Sequence, residues 1–162
     1  MIRMVVVLTF LTAVSGGLLA GVKKGTDDRI EAAVFKFQLA PAMEEIFGDV
    51  QNDPAKDKFT LESDGAKYSF YPAKLGDGST AVAFETKGKG GYGGDVGLMV
   101  GINLSNDKIV AARVTTHAET PGFGARAKDD PSWISQFDTK SIDMAMNIKG
   151  DGGDIDAMSG AT

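Results

Sequence analysis

The 162-residue chain carries 17 Lys and Arg against 22 Asp and Glu, a formal net charge of −5, with 43% hydrophobic and 24% charged residues. Those fractions argue against bulk disorder, and the acidic balance excludes a nucleic-acid partner, which needs a clustered surplus of Lys and Arg. With no cysteine and a single histidine, His117, the chain has no means to form disulfides, thiolate or multi-histidine metal sites, iron–sulfur ligation or a cysteine nucleophile, so any redox chemistry must come from a bound organic cofactor.

Residues 4–22, MVVVLTFLTAVSGGLLAGV, run without a charge between Arg3 and the Lys23-Lys24 pair. That length matches the roughly 20 residues a helix needs to cross about 30 Å of hydrocarbon. It exceeds the apolar core of a cleaved signal peptide, about 7–15 residues. The expected arrangement is therefore a membrane anchor over residues 1–25, in contact with the lipid bilayer, followed by one domain over 26–162. Orientation is equivocal from charge alone. Lys23, Lys24, Arg29 and Lys36 follow the span and favour a cytoplasmic domain, but Asp27 and Asp28 lie among them and long domains translocate regardless.

From Thr26 to Phe47 apolar residues recur at three- and four-residue intervals (Ile30, Val34, Phe37, then Met43, Ile46, Phe47), which predicts helix. Asp27 and Asp28 favour a helix start, and Pro41 is expected to open a second helix. GDVQNDPAKD then reads as a surface loop. The runs KFTLES, KYSFYPA, TAVAFETKG, DVGLMVGINLS and KIVAARVTTHA are short and rich in β-branched or aromatic residues, with SDG, GDGST and SNDK as turns between them. A short helix is expected around PSWISQF, and an irregular or strand segment before the terminus. Helices, then strands joined by tight turns, then a helix describe an α+β protein: an N-terminal transmembrane helix, then one domain with a mainly antiparallel sheet and flanking helices.

Glycine, 21 of the residues, is costly wherever it is ordered, so its clusters mark turns or places where backbone approaches another group closely. Three segments concentrate it or other small residues: GKGGYGGDVG (88–97), HAETPGFGAR (117–126) and DAMSGAT (156–162). The first lacks the Gly-Lys-Ser/Thr of a phosphate loop and precedes a strand rather than a helix, which disfavours both phosphate-loop and dinucleotide fingerprints. Taken singly, each segment could be a plain turn. DGGDID around Asp154 and Asp156 lacks the spaced ligands and terminal glutamate of an EF-hand, and no metal site is expected.

In the order GYGGDVGLMVGI, VTTHAETPGFGA, DAMSGAT, the sequence resembles the FMN-binding domain of the G subunit of the Rnf electron-transport complex, related to the C subunit of the sodium-translocating NADH:quinone reductase. The resemblance covers residues 88–162 and includes a matching N-terminal anchor. It implies that Thr162 carries FMN through a phosphoester bond, installed by a separate flavin transferase, with Asp156, Ser159, Gly160 and Ala161 completing the motif that the transferase recognises. A hydroxyl is a weak nucleophile at its free pKa, so attachment needs such an enzyme.

The resemblance also casts the ETPGFG turn as a wall for the flavin ring. Pro121 would stiffen it, Gly122 and Gly124 permit close approach, and Phe123 offer an aromatic face, while Glu119 and Thr120 could hydrogen-bond the ring's polar edge. The plain alternative is a structural turn. Tyr92, between Gly91 and the Gly93-Gly94 pair, reads equally as a flavin contact or a strand-edge core aromatic, and His117 reads as structural. The functional expectation is a membrane-anchored flavoprotein subunit relaying electrons among the other subunits of an ion-translocating oxidoreductase, with its domain on the extracytoplasmic side of the inner membrane. Chain length favours the Rnf subunit over the larger quinone-reductase subunit. A flavin-free assembly module with the same fold is the reading from another class.

Overall fold

The computed structural model describes residues 2–63, 65–122 and 124–158, and by its internal contacts the chain divides into one compact unit up to Phe37 and a second from Gln38 onward. The first is dominated by helix α1, Ile2–Val34, none of whose residues is buried. At 1.5 Å per residue its 33 residues extend about 50 Å, long and apolar enough to cross a membrane. Its threonine hydroxyls turn inward on the helix itself: Thr9 donates to the Val5 carbonyl at 2.9 Å and Thr26 to that of Val22 at 2.9 Å. Such self-satisfaction is what an apolar solvent demands of every polar group. The helix does not start again at Asp27-Asp28. Both lie exposed within α1, because a helix already propagating needs no new nucleus and an acidic pair on its wet face does not stop it.

A π-helical turn, Phe35–Leu39, separates α1 from α2, Ala40–Phe47, in the sequence. Pro41 sits in the first turn of α2, where a missing N–H costs nothing. The second unit is built on five strands: β1 Phe59–Ser63, β2 Ala66–Lys74, β3 Thr80–Gly88, β4 Val96–Asn103 and β5 Lys108–Thr116. They pair in sequence order, all antiparallel. The α+β architecture with a mainly antiparallel sheet is therefore as the sequence implied. At the SNDK turn, Asn103 Oδ1 accepts from Ser105 N and Asn106 Oδ1 from Lys108 N, while Asp107 takes a left-handed conformation. These are the side-chain-to-backbone bonds that make Asn and Asp turn residues.

The two sheet faces are covered differently. One carries the register row Tyr71, Ala83, Gly101, Ala111, in which Gly101 and Ala111 are small enough for α2 to lie on β4 and β5 with Ala42, Met43 and Ile46 buried. The other carries Phe59, Phe70, Phe84, Val100, Ala112 in register. On this second face Ala112, Val114 and Ile134 form a buried cluster, with Trp133, Phe137 and Ala127 packed against it. Those last residues come from three short pieces after β5: α3 Arg126–Asp129, α4 Pro131–Ile134 and a 3-10 turn, Ser135–Phe137. The PSWISQF helix is thus two short elements, and α3 has no counterpart in the apolar periodicity.

Candidate functional site

Antiparallel order places the end of β3, the start of β4 and the end of β5 side by side, with Gly88 opposite Val96 and Gly97 opposite Thr116. The glycine-rich loop 88–95 and the segment leaving β5 from His117 therefore emerge at the same end of the sheet. Between them, Glu119 is the organising residue. Its Oε1 accepts from Gly93 N at 2.9 Å. A Cβ on Gly91 would lie 2.5 Å from Glu119 Oε1, and one on Gly124 would lie 2.5 Å from Oε2. A Cβ on Gly93 would collide with the Ala118 carbonyl. The close approach that the glycines announced in the sequence is thus made, within the chain itself, toward the Glu119 carboxylate and the backbone beside it. His117 supports the same turn: its Nδ1 accepts from Glu119 N at 3.3 Å.

Together these segments wall a cleft of about 210 Å3. Gly88, Lys89, Gly90, Gly91 and Tyr92 form one side. Glu119 and Gly124 come from the turn, Val96 from β4, Ala127 and Trp133 from the short helices, and Met158 from the terminal segment. Tyr92 is 82% exposed, which rules out a core role and leaves its ring free at the rim. Gly94 also belongs to the loop, its N bonded to the Gly91 carbonyl at 3.3 Å. Thr120 and Pro121 are exposed, Gly122 takes a left-handed φ of 79°, and Ala125 N closes the turn on the Thr120 carbonyl at 3.3 Å. Phe123 and Ser159, Gly160, Ala161 and Thr162 lie outside the described residues.

Asp156 is held from both ends. Its backbone carbonyl accepts from Trp133 Nε1 at 2.8 Å and from Gln136 Nε2 at 3.4 Å, and its N–H donates to Gln136 Oε1 at 2.6 Å. Its carboxylate pairs with Lys149 at 2.7 Å, with both side chains more than half exposed, a geometry that contributes little. Lys89, Trp133, Gln136 and Met158 are the residues that sequence reasoning missed. The one signal for Trp133 was its being the only tryptophan. Lys89 and Met158 lie inside segments the sequence singled out without being named themselves, and Gln136 gave no signal.

The helix that carries Trp133 begins on a cap. Asp130 Oδ1 accepts from Ser132 N at 3.1 Å and from the Ser132 hydroxyl. The Ser132 hydroxyl bond, with help from Arg126, holds the Asp130 carboxyl below its ordinary 3.8. A depressed carboxylate pKa means that the cap's contribution is present above the ordinary value and is lost as pH falls through the folded one. Asp130→Ala should therefore melt below wild type at neutral pH, with the difference closing in acid. A difference that stayed constant from pH 7 to below the carboxylate range would contradict the cap.

With this geometry in place, residues 91–162 match the FMN-binding domain family. Over most of its length the chain is similar to the G subunit of the ion-translocating oxidoreductase complex of three bacteria. It is 31% identical to that of Photorhabdus laumondii, covering 97% of this chain and 79% of the relative. The values are the same for Haemophilus influenzae. For Pseudomonas aeruginosa they are 31% identity, 100% of this chain and 80% of the relative. The chain belongs to this G-subunit family. The stretch that matches the FMN-binding domain starts at Gly91 and so takes in Glu119, the turn, Trp133 and the terminal segment. Of the cleft, only Gly88, Lys89 and Gly90 fall before it. The matched range therefore includes most of the residues that the fold gathers at one end of the sheet.

Proposed function

We propose that the chain is a membrane-anchored flavoprotein subunit that relays electrons through FMN, covalently joined to Thr162, within an ion-translocating ferredoxin:NAD oxidoreductase complex. The observation that carries this reading is the convergence of the glycine loop, the Glu119–Gly124 turn and the Met158 end of the terminal segment on one cleft. These are the three motifs on which the sequence resemblance rested, and they are far apart in the chain.

The donor set of the cleft fits a flat, largely apolar ring bearing an anionic phosphate. Trp133, Val96 and Met158 offer apolar and aromatic walls, Tyr92 an aromatic rim, and Lys89 a cation. When bound, the cofactor supplies all of the redox chemistry, and the protein supplies position and electrostatics. A closed ligand pocket is usually roughly 300–1,000 Å3, so this smaller cleft would grip a flavin along part of its surface and leave an edge open to a redox partner. Glu119 would hold the loop and the turn at fixed separation, and so set the width of the cleft. Phe123 and Thr120 would complete the wall, with Gly122 and Pro121 shaping the turn that presents them. Ser159, Gly160 and Ala161 would give a maturing flavin transferase access to the Thr162 hydroxyl. The direct test is a flavin adduct that survives denaturation when the chain is coexpressed with a transferase.

The anchor over residues 1–25 would hold the 26–162 domain at the membrane beside the other subunits, on the extracytoplasmic side. Protease added to intact cells stripped of their outer membrane should then digest the domain. Complete protection until lysis would place it in the cytoplasm, as the lysines after the span would have it.

A further inference from the structure

The segment from Asp143 to Met158 is closed on itself. Ile155 N donates to the Asn147 carbonyl, Lys149 N to the Ile155 carbonyl, and Gly153 N to the Ile148 carbonyl. Gly153 is required there because a Cβ would collide with the Asn147 carbonyl. Among the described residues, apart from the local bonds of Asp143 N and Met144 N to Ser141 where the segment begins, the hydrogen bonds that tie it to the rest of the domain converge on Asp156, through Trp133 and Gln136. Trp133 is mounted on the packed core, meeting Phe137 edge-on at 5.7 Å with both rings on the Ala112–Val114–Ile134 cluster, and Gln136 precedes Phe137 in the same 3-10 turn. The Gln136 carboxamide takes the N–H and the C=O of one residue at once, as a neighbouring strand would, and the indole N–H adds a second donor to the same carbonyl. Two residues further along, Met158 lies in the cleft.

We propose that Trp133 and Gln136 are positioning residues that latch the segment leading to Thr162 against the cleft. Gripped at Asp156, the segment keeps whatever Thr162 carries near the cleft. The residues from Met158 to Thr162 span at most roughly 14 Å, so a grip at Asp156 limits how far the attached group can move from the cleft. This inference deepens the reading that Thr162 bears FMN and rests on it only for the identity of the group. The grip addresses backbone atoms alone, so it specifies where Asp156 sits without depending on the Asp156 side chain, which remains free for Lys149 or for recognition by another enzyme.

The absence of cysteine allows a test that does not need the flavin. Thr162→Cys, labelled with a maleimide dye, reports the mobility of the segment beyond Asp156 by time-resolved anisotropy. The expected result is a slow decay at the tumbling rate of the protein. In Gln136→Ala, and in Trp133→Phe, which keeps an aromatic ring on the core but removes the indole donor, that component should be lost to the nanosecond motion of an unlatched segment. Melting curves of the same variants separate the latch from loss of the fold. In flavin-loaded protein, bound-flavin anisotropy should fall in the same variants. A wild-type dye that already moves freely, or slow decay retained in both folded variants, would overturn the latch. Dye release without any flavin adduct on the unlabelled wild type would keep the latch and remove the attachment reading.

Discussion

Thr162→Ala is expected to abolish covalent flavin completely. An ester needs the side-chain oxygen, and alanine removes the only atom that can form it. Intact mass of protein coexpressed with a flavin transferase should show an added flavin mononucleotide in the wild type and none in the variant. The fold should be unaffected, because the sheet, α2 and the Ala112–Val114–Ile134 cluster all lie upstream. Thr162→Ser keeps a hydroxyl and should retain part of the loading, whereas Ser159→Ala should keep the adduct on Thr162 if, as proposed, Ser159 serves only orientation or recognition. Denaturing gels give the same answer by fluorescence, because only a covalent flavin stays with the band. If the wild type coexpressed with an active transferase shows no adduct, the covalent reading fails. An adduct that persists in Thr162→Ala would move the attachment to another residue.

Gly101→Ala is expected to lower stability by loosening the packing of α2 on the sheet. Gly101 is buried in the middle of β4, and a Cβ there would collide with Ile46 Cγ2 and lie 2.9 Å from two ring carbons of Phe47. The helix α2 approaches β4 closely only because this position lacks a side chain. Forcing an extra carbon into a packed interface costs about 1–3 kcal/mol, and each kcal/mol lowers the melting temperature of a domain of this size by roughly 4 °C. Phe47 is half-buried at the end of α2 and could swing outward, which places the effect toward the lower half of that range. Gly76→Ala is the matched control: its Cβ would meet nothing within 4 Å and its φ is not left-handed. The melting temperature, followed by the fluorescence of the single tryptophan, should fall for Gly101→Ala and hold for Gly76→Ala. Equal melting of both variants would mean that α2 does not depend on Gly101.

What the sequence by itself determined is whatever repeats locally. The uncharged run at the N-terminus specifies a helix of membrane-spanning length. The alternating apolar runs specify the strands, β3 from Thr80 to Gly88 without adjustment, and the turn residues between them specify consecutive antiparallel pairing. The order of the three small-residue motifs is by itself enough to mark the family. Tertiary structure decided what no local pattern encodes. That Gly91, Gly93 and Gly124 are shaped around the Glu119 carboxylate depends on segments about thirty residues apart in the chain being brought to one sheet end. The need for glycine is legible in the sequence, but its partner is not. The same holds for Gly101 beneath α2. The grip of Trp133 and Gln136 on Asp156 left no trace in the sequence for a different reason. Its target is backbone N–H and C=O, which every residue but proline presents alike, so only the folded chain selects which residue is held.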